Sequence, residues 1–240
     1  MRTVLCANGA LGARIARSLH ASGELTGLVL HAPERQRDTQ ELEVELGVPT
    51  WTWPADPRAV ADLHPECLLS VLFGHRFDEN WLAIPNWLPV NLHPGLLPYN
   101  AGANPNVWPL IDGTPAGTTL HVMTPVIDEG DLLTQVEVPT TPDDTAATLY
   151  QKLMAASFDL FEAAWPTIGS VVPQPMPAGG TRHRVADLAL LDPAGADLAV
   201  IDRLRARTFA PFGAEFERDG RRWKIQVTIE PVDDGPAQRP

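Results

Sequence analysis

Thr3-Val4-Leu5-Cys6-Ala7-Asn8-Gly9-Ala10-Leu11-Gly12 opens on an apolar run and breaks at once into a glycine turn. The run reads as a buried strand, and the pattern beyond the turn is helical to about Ala21. A second apolar run, residues 25–31, follows. Strand, glycine turn, helix and strand in that order predict a βαβ start and a parallel sheet. The glycines stand as Ala7-x-Gly9-x-x-Gly12, so the first Gly of a dinucleotide fingerprint is replaced. The second strand also ends in His31-Ala32-Pro33, not in the acidic residue a nicotinamide site wants. The turn is better read as a close approach of helix and sheet, with Asn8 and the helix N-terminal amides facing an anionic group of a ligand.

Outward from that unit, strands are expected at 50–53, 67–73 and 88–92, and an antiparallel pair at 118–123 and 132–138. Residues 35–46 read as a charged helix and 105–112 as a short one. A long helix should reach Trp165, capped by Asp143 and Asp144, with Leu149, Leu153, Ala156 and Leu160 at helical spacing. The run VVPQPMPAGG up to Gly180 breaks any regular element. Beyond it, residues 198–208 form a helix. Residues 215–217 and 222–229 flank Asp219-Gly220, a hairpin signature. These readings divide the chain into a catalytic domain, 1–178, a small C-terminal α+β unit with a β-hairpin, 179–230, and a flexible tail, 231–240.

Charge supports the division. Residues 1–178 carry 8 Lys+Arg against 20 Asp+Glu, whereas 179–228 carry 9 against 7. The whole chain of 240 residues has a net charge of -12, which disfavours nucleic acid and anionic membranes as partners. At 44% hydrophobic it has enough apolar content for a sizeable core. No run approaches the ~20 apolar residues of a spanning helix, and the glycine-broken start does not suit a signal peptide. Cys6 and Cys67 read as buried thiols, so a cytoplasmic protein is expected. No HExxH or CxxC is present, and no metal is expected.

The densest chemistry lies in Val90-Asn91-Leu92-His93-Pro94-Gly95-Leu96-Leu97-Pro98-Tyr99-Asn100-Ala101-Gly102-Ala103-Asn104-Pro105-Asn106-Val107-Trp108. Residues two apart on a strand share a face, so Asn91 and His93 point together at a strand's C-terminal end. Open α/β sheets bind ligands there. A carboxamide N–H can stabilise an oxyanion, and an imidazole moves protons near neutrality. Alone, such a pair also suits a turn. Asp128, in Val126-Ile127-Asp128-Glu129-Gly130, adds a carboxylate in a loop after a strand.

Taken together, these stretches resemble the 10-formyltetrahydrofolate-dependent formyltransferase family. The shared order is Asn91-x-His93, Leu97-Pro98, Tyr99-x-x-Gly102, Pro105-x-x-Trp108, and His121 to Asp128-x-Gly130. Residues 179–188 and 201–225 look like the C-terminal segments of sugar N-formyltransferases. The resemblance covers about residues 3–229. It implies a Rossmann-like formyltransferase fold with a mostly parallel twisted sheet. It also implies formyl transfer from 10-formyltetrahydrofolate, as cosubstrate, to the primary amine of a nucleotide-linked amino sugar.

Carried over residue by residue, the resemblance makes Asn91 the group that polarises the formyl oxygen, His93 the proton carrier, and Asp128 the residue that orients His93 and a relaying water. Leu72, Phe73, Gly74, Phe77, Thr124, Val126 and Ile127 would form a pterin pocket built largely of backbone. The Leu97–Pro98 bond would be cis, as this turn often is in the family. On the acceptor side, His75, Asn100, Asn104 and Trp108 would wall the site, and Arg76 would clamp a diphosphate bidentately. The basic hairpin and Arg203, Arg205 and Arg207 would reach a nucleotide or a homodimer partner.

This sequence departs from the family at Pro94-Gly95, where a bulkier pair is usual, and at Asn100, near the place of an Arg. Both keep another small-molecule amine open as acceptor. Glycinamide ribonucleotide as acceptor would suit a chain without the C-terminal unit. Initiator tRNA would suit a longer, basic C-terminal domain, and a hydrolase of the donor would carry an extra N-terminal domain. A folate- or nucleotide-binding module without catalysis is the reading from a different class.

Overall fold

The computed structural model describes residues 1–141, 144–190, 198–218 and 220–230. The first unit forms as its pattern requires: β1 (Thr3–Ala7), α1 (Gly9–Ala21), β2 (Leu25–Leu30). Then come α2 (Leu42–Leu46), β3 (Thr50–Thr52), α3 (Pro57–Ala61), β4 (Cys67–Val71), α4 (Glu79–Leu82) and β5 (Leu88–His93). They are followed by β6 (Ala101–Gly102), α5 (Trp108–Asp112), β7 (Ala116–Val122), β8 (Leu132–Val138) and α6 (Ala146–Ala164). The chain continues through β9 (Arg182–His183), α7 (Leu198–Arg207), β10 (Ala214–Arg218) and β11 (Arg221–Ile225).

The main sheet runs β3-β2-β1-β4-β5-β7-β8. Its first five strands are parallel, while β7 lies antiparallel to both β5 and β8. The central strands β1, β2 and β4 are buried on both faces, which is why they read as nearly continuous apolar runs. Their side chains alternate as the pleat demands. Leu5, Ala7, Leu28, Leu30, Leu69 and Val71 join α1 and the Phe158 and Phe161 side of α6. Val4, Cys6, Val29 and Leu68 join Phe73, Phe77 and Trp81 on the other face. Gly12 lets α1 approach β1, since a methyl group there would lie 3.0 Å from the Ala7 Cβ. Cys6 and Cys67 are buried and unpaired, and burial pushes both thiols up.

Several sequence expectations need correcting. The helix expected over 35–46 is helical only in its last turns, because the chain at Asp38 takes φ 56 and reverses there. The N-cap of α6 is Thr145, which forms a capping box with Thr148. Asp144 instead accepts from Thr141, Thr148 and Lys152, and Asp143 lies outside the described residues. The short helix begins at Trp108, not Pro105. The hairpin's second strand ends at Ile225, and Asp219 and the tail lie outside the described residues.

The segment after Pro173 does not leave the catalytic half. Gln174 bridges Leu132, and β9 pairs in parallel with β6. Helix α7 buries Ala206 in a cluster with Trp108, Leu110, Leu149 and Leu153 of α5 and α6. Among the described residues, no helix is long and apolar enough to cross a membrane.

Candidate active site

The parallel strands end at a cavity of about 660 Å³. Asn91, half-buried, and His93, buried, arrive on β5 two residues apart. Strand β7 is their antiparallel neighbour, and its register sets His121 opposite Asn91. Asp128 comes from the loop between β7 and β8, in the left-handed region at φ 55. Asn91, His93, His121 and Asp128 all line the same cavity.

Their hydrogen bonds fix which atom faces which. His121 Nδ1 is 2.9 Å from the Val122 carbonyl, which can only accept, so that nitrogen carries the proton. His121 Nε2 lies 3.1 Å from the Asn91 amide nitrogen and 3.4 Å from Asp128 Oδ1: in the neutral ring it accepts from the amide, and in the imidazolium it donates to the carboxylate. Asn91 Nδ2 also lies 3.4 Å from Asp128 Oδ1. The carboxamide thus stands with its donor end fixed. On the other imidazole, His93 Nε2 donates to the Asn100 carbonyl at 3.1 Å. In the neutral ring the lone pair is therefore on Nδ1, 3.6 Å from Asp128 Oδ2. That is too long for a hydrogen bond, so Nδ1 remains able to accept a proton.

Glycines make this packing possible. A methyl group on Gly95 would lie 2.5 Å from His93 Nε2, so the glycine gives the ring room to reach Asn100 O. The Gly102 N–H donates to Asp128 Oδ2 at 2.8 Å. The turn that follows His93 is tied to β7 through Thr119, which accepts from Leu97 N–H and donates to the Gly95 carbonyl. The Leu97–Pro98 peptide bond in it is cis.

Burial would raise the Asp128 carboxyl, but His93, His121 and the Gly102 N–H together hold it well below the usual carboxylate range. Burial lowers the His93 imidazole; Asp128 pulls it upward, and His121 and Arg182 oppose that pull. The net arrangement is an ionised carboxylate beside a neutral ring, poised to accept a proton and to stabilise it once accepted.

Leu72, Phe73, Gly74 and Phe77 line one side of the cavity, and Thr124, Val126 and Ile127 another. His75 and Arg76 also line it. Arg76 Nη2 donates to the Pro125 carbonyl at 3.1 Å, so this arginine is engaged with the 124–128 loop. Four residues read as acceptor-side contacts, Asn8 at the glycine turn and the walls Asn100, Asn104 and Trp108, stand outside the cavity lining. Asn8 joins the Arg35 carbonyl and the Arg37 N–H. Asn100 is fully buried, with its amide held by Pro115 O and Thr114 Oγ1. Asn104 stands outside the cavity lining. Trp108 is a core residue whose indole N–H donates to Ala103 O.

Sequence reasoning gave His121 a place in the motif but no role, and missed Arg182 and His183. His121 had a signal, because a strand paired antiparallel to β5 must set some residue opposite Asn91. Arg182 and His183 line the cavity only because β9 pairs with β6, which no local pattern announces. His183 stacks on Trp108, ring centroids 3.9 Å apart, with Nε2 3.0 Å from Asp112 Oδ2.

Residues 55–164 match the family model for formyl transferase, and residues 198–231 match that for the N-formyltransferase dimerization C-terminal domain. Together the two matches span well over half of the chain. The chain belongs to the formyl transferase family. Solved structures give the same fold over most of the length of this formyltransferase. A sugar N-formyltransferase from Shewanella matches at TM-score 0.83 and 24% identity, covering 97% of this chain and 99% of that one. A candidate sugar N-formyltransferase from Mycobacterium tuberculosis matches at TM-score 0.83 and 26% identity, with the same coverage. An N-formyltransferase from Helicobacter canadensis, solved with folinic acid and dTDP-3-aminofucose, matches at TM-score 0.74 and 15% identity, covering 87% of this chain and 81% of that one.

Proposed function

We propose that this formyltransferase moves the formyl group of 10-formyltetrahydrofolate to the primary amine of a nucleotide-linked amino sugar. Asn91, His93 and Asp128 are the catalytic residues in this reading. The observation that carries it is the convergence of a carboxamide, an imidazole and a carboxylate on one cavity. The lining suits both ligands. Leu72, Phe73, Met123 and Ile127 offer apolar and backbone surface to a pterin. In a chain of net charge -12, the cavity also gathers Arg76, Arg182 and Arg184 with four histidines, and Asp128 is the only carboxylate among its described lining residues. Such a lining favours anionic ligands, as a phosphorylated acceptor and a glutamate-tailed folate both are.

In the reaction, the neutral amine attacks the formyl carbon and the carbonyl electron pair moves to oxygen. The Asn91 amide N–H that faces Asp128 Oδ1 across a long 3.4 Å leaves it to stabilise the oxyanion. His93 Nδ1 takes the proton from the attacking nitrogen. Asp128 stabilises the imidazolium across 3.6 Å. His93 then returns the proton to the departing folate nitrogen as its C–N bond breaks. The Helicobacter canadensis protein, of the same fold and solved with a nucleotide-linked amino sugar and a folate, adds support.

Formyl transfer to another small amine is the second reading. It is favoured by the acceptor-side departures: Asn100 is fully buried and offers no side chain to a ligand. The C-terminal hairpin is proposed as a homodimer contact. It is part of the segment matching the dimerization model, and it exposes a stacked Phe216 and Trp223.

The test mixes protein, 10-formyltetrahydrofolate and candidate amines, and follows release of tetrahydrofolate. Amine-dependent release is expected. Asn91→Ala should lower the turnover number by ~10²–10³ and His93→Ala by ~10²–10⁴, with the fold intact. Release without amine would make the protein a hydrolase. Binding without release would make it a carrier module.

A further inference from the structure

Asp128 sits in an exposed loop, yet its two oxygens meet partners from three other segments. A non-glycine residue at φ 55 is held there by its surroundings. The outside support is Arg182. Its Nη2 donates to the Ile127 carbonyl at 2.7 Å and to Glu129 Oε1 at 2.8 Å, so one guanidinium grips the residue on either side of Asp128.

Arg182 is itself fixed. Ala101 N–H donates to Thr181 O and Ala103 N–H to His183 O, while Asn100 N–H donates to Thr181 Oγ1. Gly102 and Gly180 both have positive φ, and a methyl group on either would strike the opposing backbone oxygen, of His183 or of Pro98. The two segments therefore run backbone against backbone as a parallel pair, with little play. The same pairing supplies the Gly102 N–H to Asp128 and the Asn100 carbonyl to His93.

We propose that Arg182 is a positioning residue for the reaction: by gripping Ile127 and Glu129 it ties the loop to the 182–183 strand, so that Asp128 faces His93, His121 and Asn91 at once. The inference rests on the formyl-transfer reading of this site. The Arg182–Glu129 pair is 40% and 53% exposed, so it contributes little to stability and its effect is on geometry. His93 is faced by Asp128 from the loop, His121 from β7, the Asn100 carbonyl and Arg182 from β9. Its titration therefore reports where Asp128 stands.

The experiment measures kcat for formyl transfer and titrates His93 by NMR in the ligand-free full chain, for Arg182→Lys, Arg182→Ala and Glu129→Gln. Arg182→Lys keeps the charge, but its shorter side chain leaves the ammonium short of the position from which Nη2 reaches both Ile127 O and Glu129 Oε1. Its kcat should fall at least fivefold, and its His93 midpoint should fall as Asp128 withdraws. Arg182→Ala should lose at least tenfold in kcat with little change in melting temperature. Glu129→Gln should lose less, because the Ile127 bond survives. Wild-type kcat in both arginine variants overturns the proposal, as does a lost kcat with an unmoved His93 midpoint in Arg182→Lys. If Arg182→Ala does not fold, the other two variants decide. A wild-type protein that transfers no formyl group sinks the proposed function, while the His93 titration still decides the role of Arg182.

Discussion

Replacing Asp128 by asparagine keeps shape and removes one charge from the centre of the site. The new amide still accepts from the Gly102 N–H through its oxygen. It can no longer stabilise an imidazolium at His93 Nδ1, 3.6 Å away. At that distance and an effective dielectric of about 20, Coulomb's law assigns the lost attraction roughly 4–5 kcal/mol. The amide dipole and local rearrangement recover part of this, leaving about 3–4 kcal/mol. Each 1.4 kcal/mol is about a factor of ten, so kcat should fall ~10²–10³-fold. The amide nitrogen also turns toward Asn91 Nδ2, setting donor against donor, which adds to the loss. The assay is tetrahydrofolate release at saturating donor and acceptor, with His93 titrated in parallel. The His93 midpoint should drop, because Asp128 is the charge that pulls it upward. A variant that keeps kcat within tenfold of wild type, with His93 titrating as before, would refute the idea that Asp128 stabilises the proton on His93.

Other outcomes follow from particular contacts. Arg76→Ala should raise the KM of the folate at least as much as that of the acceptor, because the guanidinium holds Pro125 O in the folate-side loop; a rise confined to the acceptor would restore the diphosphate clamp. Burial lowers His31, His75 and His93, with the nearby Arg35 adding to it at His31 and His75 and Asp128 opposing it at His93. Their neutral forms stabilise the fold above pH ~6.5, and that contribution is lost as the pH falls and the unfolded chain takes up protons. The melting temperature should therefore begin to decline below about pH 6.5, well before the carboxylates titrate. Asp128, held low, should add a second decline only below about pH 4. A flat profile from pH 7 to 5 would contradict this. Acidic substitutions at both Phe216 and Trp223 should shift the sedimenting species from dimer to monomer, and an unchanged species would place any dimer contact elsewhere.

The sheet was legible because its determinants are local. The runs at 3–7, 25–30 and 67–71 are apolar but for Thr3, Thr26 and Ser70, a composition that suits strands covered on both faces. The antiparallel pair and the long helix were equally plain, since periodicity survives without tertiary context. The helix expected over 35–46 failed for the opposite reason: charged residues at helical spacing bury little, and without a packed face their helical propensity did not outlast the turn at Asp38. At the site, Asn91 and His93 were readable from strand alternation alone. Asn100 and Trp108 were assigned to the ligand because polar and aromatic residues near a motif look alike whether they face a cavity or a core.

By itself, then, the sequence determined the parallel sheet, the strand that carries the amide and the imidazole, and the residue types available for acyl chemistry. Only the tertiary structure decided which atoms act. The tautomer of His93 depends on a carbonyl seven residues away, the orientation of the Asn91 amide on a histidine 30 residues away, and the position of Asp128 on an arginine 54 residues beyond it. Hydrogen bonds at such separations have no local signature. They exist because β7 pairs with β5 and β9 with β6, and chain topology, not spacing, brings those groups within 3.5 Å.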